Sequence, residues 1–75
     1  MNKMRRKELG AVLNDIESVK VDLQLILDDE ESYYDGMPEN LQGSRRGLES
    51  EEAISQMEDA ISSLEDAISS ITRII

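Results

Sequence analysis

The stretch from Ala53 to Ile75 reads AISQMED, AISSLED, AISSITR and then II, which is one heptad written three times. Its larger apolar residues alternate at spacings of three and four: Ile54, Met57, Ile61, Leu64, Ile68, Ile71 and Ile75. Residues spaced in this way lie along one side of an α-helix, and they require a partner helix to cover them. Ala53, Ala60 and Ala67 border this seam as a column of small side chains, which favours close approach by a neighbouring helix. The pattern predicts an all-α protein.

A second amphipathic helix is predicted upstream, over residues 3–34. Its seam contains one polar interruption, Glu30, and otherwise comprises Leu9, Val12, Ile16, Val19, Leu23, Ile26 and Tyr33. Leu13, Leu27 and Tyr34 widen the stripe on one flank, so that the apolar face is broader than a single partner helix covers. Val21 and Leu25 lie on the opposite side of this helix. They are either a contact between subunits or exposed aliphatic residues of the ordinary kind.

Composition narrows the classes of function. The chain has 75 residues, a formal net charge of -9, no Cys and no His. These absences remove disulfides, thiolate metal sites and the commonest general base, and no nucleophile–base pair is visible, so we expect no enzyme activity, cofactor or metal site. The negative charge argues against direct binding to nucleic acid. No run of about 18 apolar residues and no signal sequence is present, so we expect a cytoplasmic protein without membrane contact.

Residues 35–43 are predicted to connect the two helices. Asp35, Gly36 and Pro38 are turn formers, and Pro38 disfavours helix at the residue before it. A single helical turn is expected over residues 38–42, with Leu41 covering the open end of the core. The second long helix is then predicted over residues 44–75 with Ser44 as its N-cap. Ser50, which two glutamates follow, is the competing start.

A short connection makes the two helices antiparallel. The predicted seams then place Val19 beside Ile61 and Ile26 beside Ile54, and Lys20 is expected to meet Glu58. Since a two-helix core is small, we expect the hairpin to assemble into a four-helix bundle or a larger homo-oligomer. The predicted interface residues are Leu13, Val21, Leu25 and Leu27.

A candidate ligand site lies at the connection. The two arginines at the start of the second helix offer an anion site, and neighbouring tyrosines offer rings that stack on a base. The residues of this candidate site are Tyr33, Tyr34, Ser44, Arg45 and Arg46. The alternative is structural: the arginines neutralise the acidic end of the first helix, residues 28–35.

The connection P-E-N-L-Q-G-S, Pro38–Ser44, followed by Arg46 and the Ala-Ile heptads, resembles a group of short helical-hairpin proteins from bacterial and phage genomes. Most of these are described only as uncharacterised, so the resemblance implies a fold and no activity. Where such proteins often carry an acidic residue beside Arg-Gly, this chain has Arg45 and then Leu48. The architecture is also similar to phage anti-defence sponges, which are homo-oligomers of antiparallel helices that sequester nucleotide messengers.

Two classes of function follow. The first is a non-enzymatic, acidic, homo-oligomeric interaction protein, of the kind that phages use as accessory proteins or inhibitors, docking on a host protein. The second is a sponge-like binder that holds a small phosphate-bearing nucleotide at the start of the second helix.

Overall fold

A computed structural model describes residues 1–75, and it is helical from end to end except at the connection. Helix α1 spans Lys3–Asp35, the short helix α2 spans Glu39–Gln42 and helix α3 spans Arg45–Ile74. Helix α3 packs antiparallel against α1 and α2 closes one end, giving a rod of 58 × 15 × 13 Å. The long helices thus form the expected hairpin.

Helix α1 is stabilised by its packing rather than by its ends. Asn2 caps its start by accepting a hydrogen bond from the Arg5 backbone N–H at 2.8 Å. However, its first turn contains no acidic residue and its last turn no basic residue. The first turn instead carries Lys3, Arg5 and Arg6, and the last turn ends at Asp35. Both ends thus carry charges that the helix dipole disfavours. A helix of this kind depends on its buried face.

The buried face of α1 differs from the predicted seam. Buried and half-buried positions recur at alternating spacings of four and three: Leu9, Leu13, Ile16, Lys20, Leu23, Leu27, Glu30 and Tyr34. The predicted seam through Val12, Val19 and Ile26 is wrong, because all three are exposed. Both series share Leu9, Ile16, Leu23 and Glu30, and both satisfy the same spacing. The observed one brings the larger leucines inward.

The two polar members of this seam have partners, which explains why the helix tolerates them. Lys20 lays its aliphatic stem along the seam, and its Nζ lies 3.4 Å from Glu65 Oε2. Glu30 Oε2 accepts a hydrogen bond of 2.6 Å from Ser50 Oγ. The predicted pair of Lys20 with Glu58 is therefore incorrect. The Lys20 ammonium group reaches Glu65, one heptad further along α3 than the predicted partner Glu58, because Lys20 lies within the seam rather than beside it.

The α3 seam agrees with the prediction from Ile54 to Ile71, but it begins two positions earlier in the pattern and ends before Ile75. It comprises Gly47, Ser50, Ile54, Met57, Ile61, Leu64, Ile68 and Ile71, whereas Ile75 is exposed. The hydrogen bond between Glu30 and Ser50 sets the register of the hairpin: residues whose numbers add to about 80 lie level with each other.

Replacing Ser50 with alanine is expected to lower the free energy of unfolding by about 1 to 3 kcal/mol, because Glu30 would keep its half-buried carboxylate without this donor. Ser50 is only 3% exposed, so water does not readily replace it. Urea denaturation at fixed protein concentration measures the change. Ser63→Ala, an exposed position of the same helix, is the matched control. Equal effects of the two substitutions would show that the Glu30–Ser50 bond contributes nothing.

The core of a single hairpin is small. Its only buried apolar side chains are Leu27 and Ile61, at 4% and 7% exposure. The accessible surface is 5653 Å². A compact monomer of this mass has a surface of about 4,700 Å². The single chain thus leaves roughly 1,000 Å² more surface in water than a compact fold of the same size.

Candidate functional site

Residues 38–44, which include helix α2, fold over the end of α1, and this segment is here called the bracket. The carbonyl of Pro38 accepts hydrogen bonds from the backbone N–H of Leu41 at 2.8 Å and of Gln42 at 3.2 Å. The Gln42 side chain turns back and donates to the carbonyls of Tyr34 at 3.3 Å and Met37 at 3.5 Å. These carbonyls belong to the end of α1, where intrahelical donors run out. The Pro38–Ser44 stretch is therefore an ordered structural element.

Ser44 begins helix α3, as predicted. Its Oγ accepts a hydrogen bond from the Gly47 backbone N–H at 3.4 Å and donates to the Leu41 carbonyl. Ser50 is not the start of the helix, because it lies inside α3. Gly47 lies against the bracket: a Cβ built on it would stand 1.9 Å from the Gln42 carbonyl oxygen. Only glycine permits this approach of α2 to α3.

A groove of about 520 Å³ opens beside the bracket. Its walls are Ser32, Tyr33, Gly36, Met37, Pro38, Leu41, Ser44 and Arg46. It unites three of the five predicted site residues: Tyr33, Ser44 and Arg46. The prediction that Leu41 covers the end of the core is wrong. Leu41 is half-exposed and forms part of the groove wall, because the Gln42 side chain lies over the end of α1 instead. The groove combines an exposed aromatic ring, apolar walls and one guanidinium group.

The other two predicted residues point away from the groove. Arg45 is 93% exposed at its side chain, and its Nε donates to Glu49 at 3.0 Å within the same helix. The Tyr34 hydroxyl donates to the Glu51 carboxylate on the opposite side of the hairpin. That hydrogen bond, followed by desolvation and by the charge of Glu51, raises the pKa of Tyr34 above its ordinary value. Since only the protonated phenol can donate, this contact is present below pH 10 and is lost as the pH rises through the higher pKa.

Neither arginine forms a direct ion pair with the acidic end of α1. The chain contains two ion pairs, Lys20–Glu65 and Arg45–Glu49, and neither involves residues 28–35. Within one chain, Arg45 pairs with Glu49 of its own helix, whereas Arg46 lines a shallow depression together with Glu30 of α1. Arg46 makes no ion pair at all, and it lies beside Tyr33 in the groove.

The two long sides of the hairpin have opposite character. One side, here called the apolar flank, carries residues repeated every seven positions: Val12, Val19, Ile26 and Tyr33 from α1, with Ala53, Ala60, Ala67 and Ile74 from α3. Tyr33 and Ala53 line one shallow depression, so the two columns share a side. The other side, the acidic flank, carries Glu17, Glu31, Glu51, Glu58 and Glu65. Glu31, Glu51 and Glu58 likewise line a common depression.

The sequence prediction assigned the apolar flank of α1 to the core. Spacing alone could not separate this column from the seam, because every column of a heptad pattern repeats every seven residues. Of the four predicted interface residues, Leu27 is buried and Leu13 half-buried within the single chain, because they belong to its own seam. Val21 and Leu25 are exposed on the outer side of α1, away from the apolar flank.

No group of three His, Cys, Asp or Glu side chains converges as a metal site. None of the helices combines the length and the apolarity that crossing a bilayer requires. The chain matches no protein-family model, no curated protein and no solved structure.

Proposed function

We propose that the chain is a non-enzymatic interaction protein that works as a homo-oligomer of helical hairpins. The observation that carries this proposal is the apolar flank, which exposes Val12, Val19 and Ile26 on a hairpin with only two buried apolar residues. The excess of roughly 1,000 Å² of accessible surface has the size of one partner's share in a stable interface, about 800 Å². Association would bury the exposed valines and isoleucines without rearrangement of the hairpin.

The outer surface supports docking on another macromolecule. Helix α1 presents an exposed acidic column with one carboxylate every seven residues, about 10 Å apart: Glu8, Asp15, Asp22 and Asp29. A rigid row of spaced negative charges fits a basic protein surface of the kind that binds nucleic acid. We further propose that the protein acts in the cytoplasm as a phage-type accessory or inhibitor protein, and the acidic column supports a basic host protein as its target.

Sedimentation equilibrium tests the assembly. At micromolar concentration we expect a folded species with a mass of at least twice the 8.5 kDa of one chain, because burial of the apolar flank favours association. Circular dichroism on the same samples reports whether the helices are intact. A fully helical species that sediments at 8.5 kDa across the concentration range would refute the proposal.

A second candidate function rests on Arg46. Its guanidinium group has no ion pair and lies beside the half-exposed ring of Tyr33, at the start of a helix. A guanidinium, a helix N-terminus and an aromatic face together suit a small phosphate-bearing nucleotide. In this proposal the protein sequesters such a nucleotide in the groove, as a sponge does.

The two neighbouring arginines provide a matched test of this second function. A nucleotide that binds the groove should stabilise the wild-type chain by about 2.7 kcal/mol at 100 times its Kd, which thermal unfolding detects. Arg46→Gln should abolish the shift, whereas Arg45→Gln should retain it, since Arg45 points into solvent. If no member of a nucleotide panel shifts the wild type, or if both variants respond equally, the groove is not a nucleotide site.

A further inference from the structure

The register of the hairpin aligns large residues of α1 with small residues of α3 along the apolar flank. Glu30 bonds to Ser50, so residues whose numbers add to about 80 lie level. The columns obey this sum at each heptad: Val12 with Ala67, Val19 with Ala60, Ile26 with Ala53, and Tyr33 with Arg46. Three successive levels thus pair a β-branched side chain with an alanine.

We propose that a second copy of this chain covers the apolar flank, with α1 of each hairpin against α3 of the other and both connections at the same end of the bundle. This rests on the homo-oligomer proposed above and specifies its geometry. A two-fold axis parallel to the long helices places each residue of the second copy at the same height as the identical residue of the first. The pairs of large and small residues within one hairpin are therefore also aligned between the two copies. Each large side chain then faces an alanine of the second copy, and large and small residues alternate around each four-residue layer.

The rival arrangement places the connections at opposite ends. It sets α1 against α1 and α3 against α3, so Val19 faces Val19 and Ala60 faces Ala60. One pair of helices would then be crowded and the other loosely filled, which close packing disfavours. It also brings the acidic column of α1 alongside itself. In the proposed arrangement that column runs beside a nearly uncharged one on α3: Glu49, Gln56, Ser63 and Ser70.

The acidic flank is not an alternative interface for a second copy. There, α1 contributes two glutamates and α3 three, and a single lysine, Lys20, compensates one of them. Placing two such flanks together juxtaposes like charges, which disfavours association. The opposite flank carries no acidic residue in either of its columns.

The arrangement has a consequence for the groove. Tyr33 and Arg46 of both copies meet in the layer nearest the connections, so each ring has a guanidinium of the second copy beside it, a favourable cation–π contact. Both grooves then open at one end of the bundle. The dimer thereby presents one composite surface built from two Tyr33–Arg46 pairs.

Two valines with similar exposure test which face is covered. Val19 is 53% exposed on the apolar flank and Val21 is 60% exposed on the outer side of α1. Val19→Asp should raise the dimer dissociation constant at least about 100-fold, because two carboxylates would be buried near the axis without partners. Val21→Asp should change it less than about threefold. If Val21→Asp dissociates the dimer and Val19→Asp does not, the proposal is wrong.

A spin label tests the orientation in a chain that keeps Val19. The protein has no cysteine, so Asn40→Cys, at the exposed connection, takes a single nitroxide. Double electron–electron resonance spectroscopy should give a distance between the two nitroxides within about twice the 15 Å hairpin width. A distance near the 58 Å length would place the connections at opposite ends and overturn the arrangement. A monomeric wild-type chain would instead refute the homo-oligomer itself, so the two failures are distinguishable.

Discussion

Replacing Leu27 with alanine is expected to lower the free energy of unfolding by about 2 to 5 kcal/mol. Leu27 is 4% exposed and is one of the two buried apolar residues of the hairpin. Its truncation removes apolar burial and leaves a cavity between α1 and α3, two helices that have little other core. A chain of this length has a total stability of only about 4 to 11 kcal/mol. Loss of helical circular dichroism in urea, at fixed protein concentration, measures the effect, and Ile61→Ala should behave alike.

Leu25 provides the control for Leu27. It is the same residue type, two positions earlier in the same helix, and it is 59% exposed. Leu25→Ala should change stability by less than about 0.5 kcal/mol. The comparison also separates the predicted from the observed position of these leucines, since the sequence placed both at an interface between subunits. Equal losses for the two variants would show that Leu27 is not in the core.

The fold followed from the sequence because the α3 heptads leave little freedom. Three copies of one heptad with aliphatic residues at both seam positions permit one buried side, and the connection contains strong turn formers. Helix α1 was ambiguous for a specific reason. From each of Leu9, Ile16 and Leu23, a step of three and a step of four both reach a seam position. The choice depended on whether Lys20 has a partner on α3, which spacing within one helix does not reveal.

The candidate site was recovered in part for a similar reason. Tyr33, Ser44 and Arg46 lie together because they surround the connection, which the sequence located. Side chains of adjacent residues in a helix point about 100° apart. Because Tyr33 and Arg46 face the groove, their neighbours Tyr34 and Arg45 face other directions. Contacts between distant residues decided the rest. The Gln42 side chain occupies the end of α1, and Leu41 therefore joins the groove wall.

Gly47→Ala is expected to destabilise the protein by about 1 to 3 kcal/mol, although alanine is the better helix former. The added Cβ would stand 1.9 Å from the Gln42 carbonyl oxygen, 2.5 Å from its carbonyl carbon and 2.8 Å from its Cα. These are backbone atoms, so α2 as a whole must move. Its displacement would withdraw the Gln42 side chain from the Tyr34 and Met37 carbonyls and open the groove. Urea denaturation measures the loss, and amide chemical shifts of residues 36–47 locate it.

Gly10 is the control that makes the sign of this effect informative. It also lies inside a long helix, but nothing stands within 4 Å of a Cβ built on it. Gly10→Ala should therefore stabilise the chain by about 0.8 to 1 kcal/mol, which is the helix propensity difference alone. Two Gly→Ala substitutions in helices would then shift stability in opposite directions. A gain at Gly47 equal to that at Gly10 would mean that α2 is not held against α3, and the groove would lose its fixed wall.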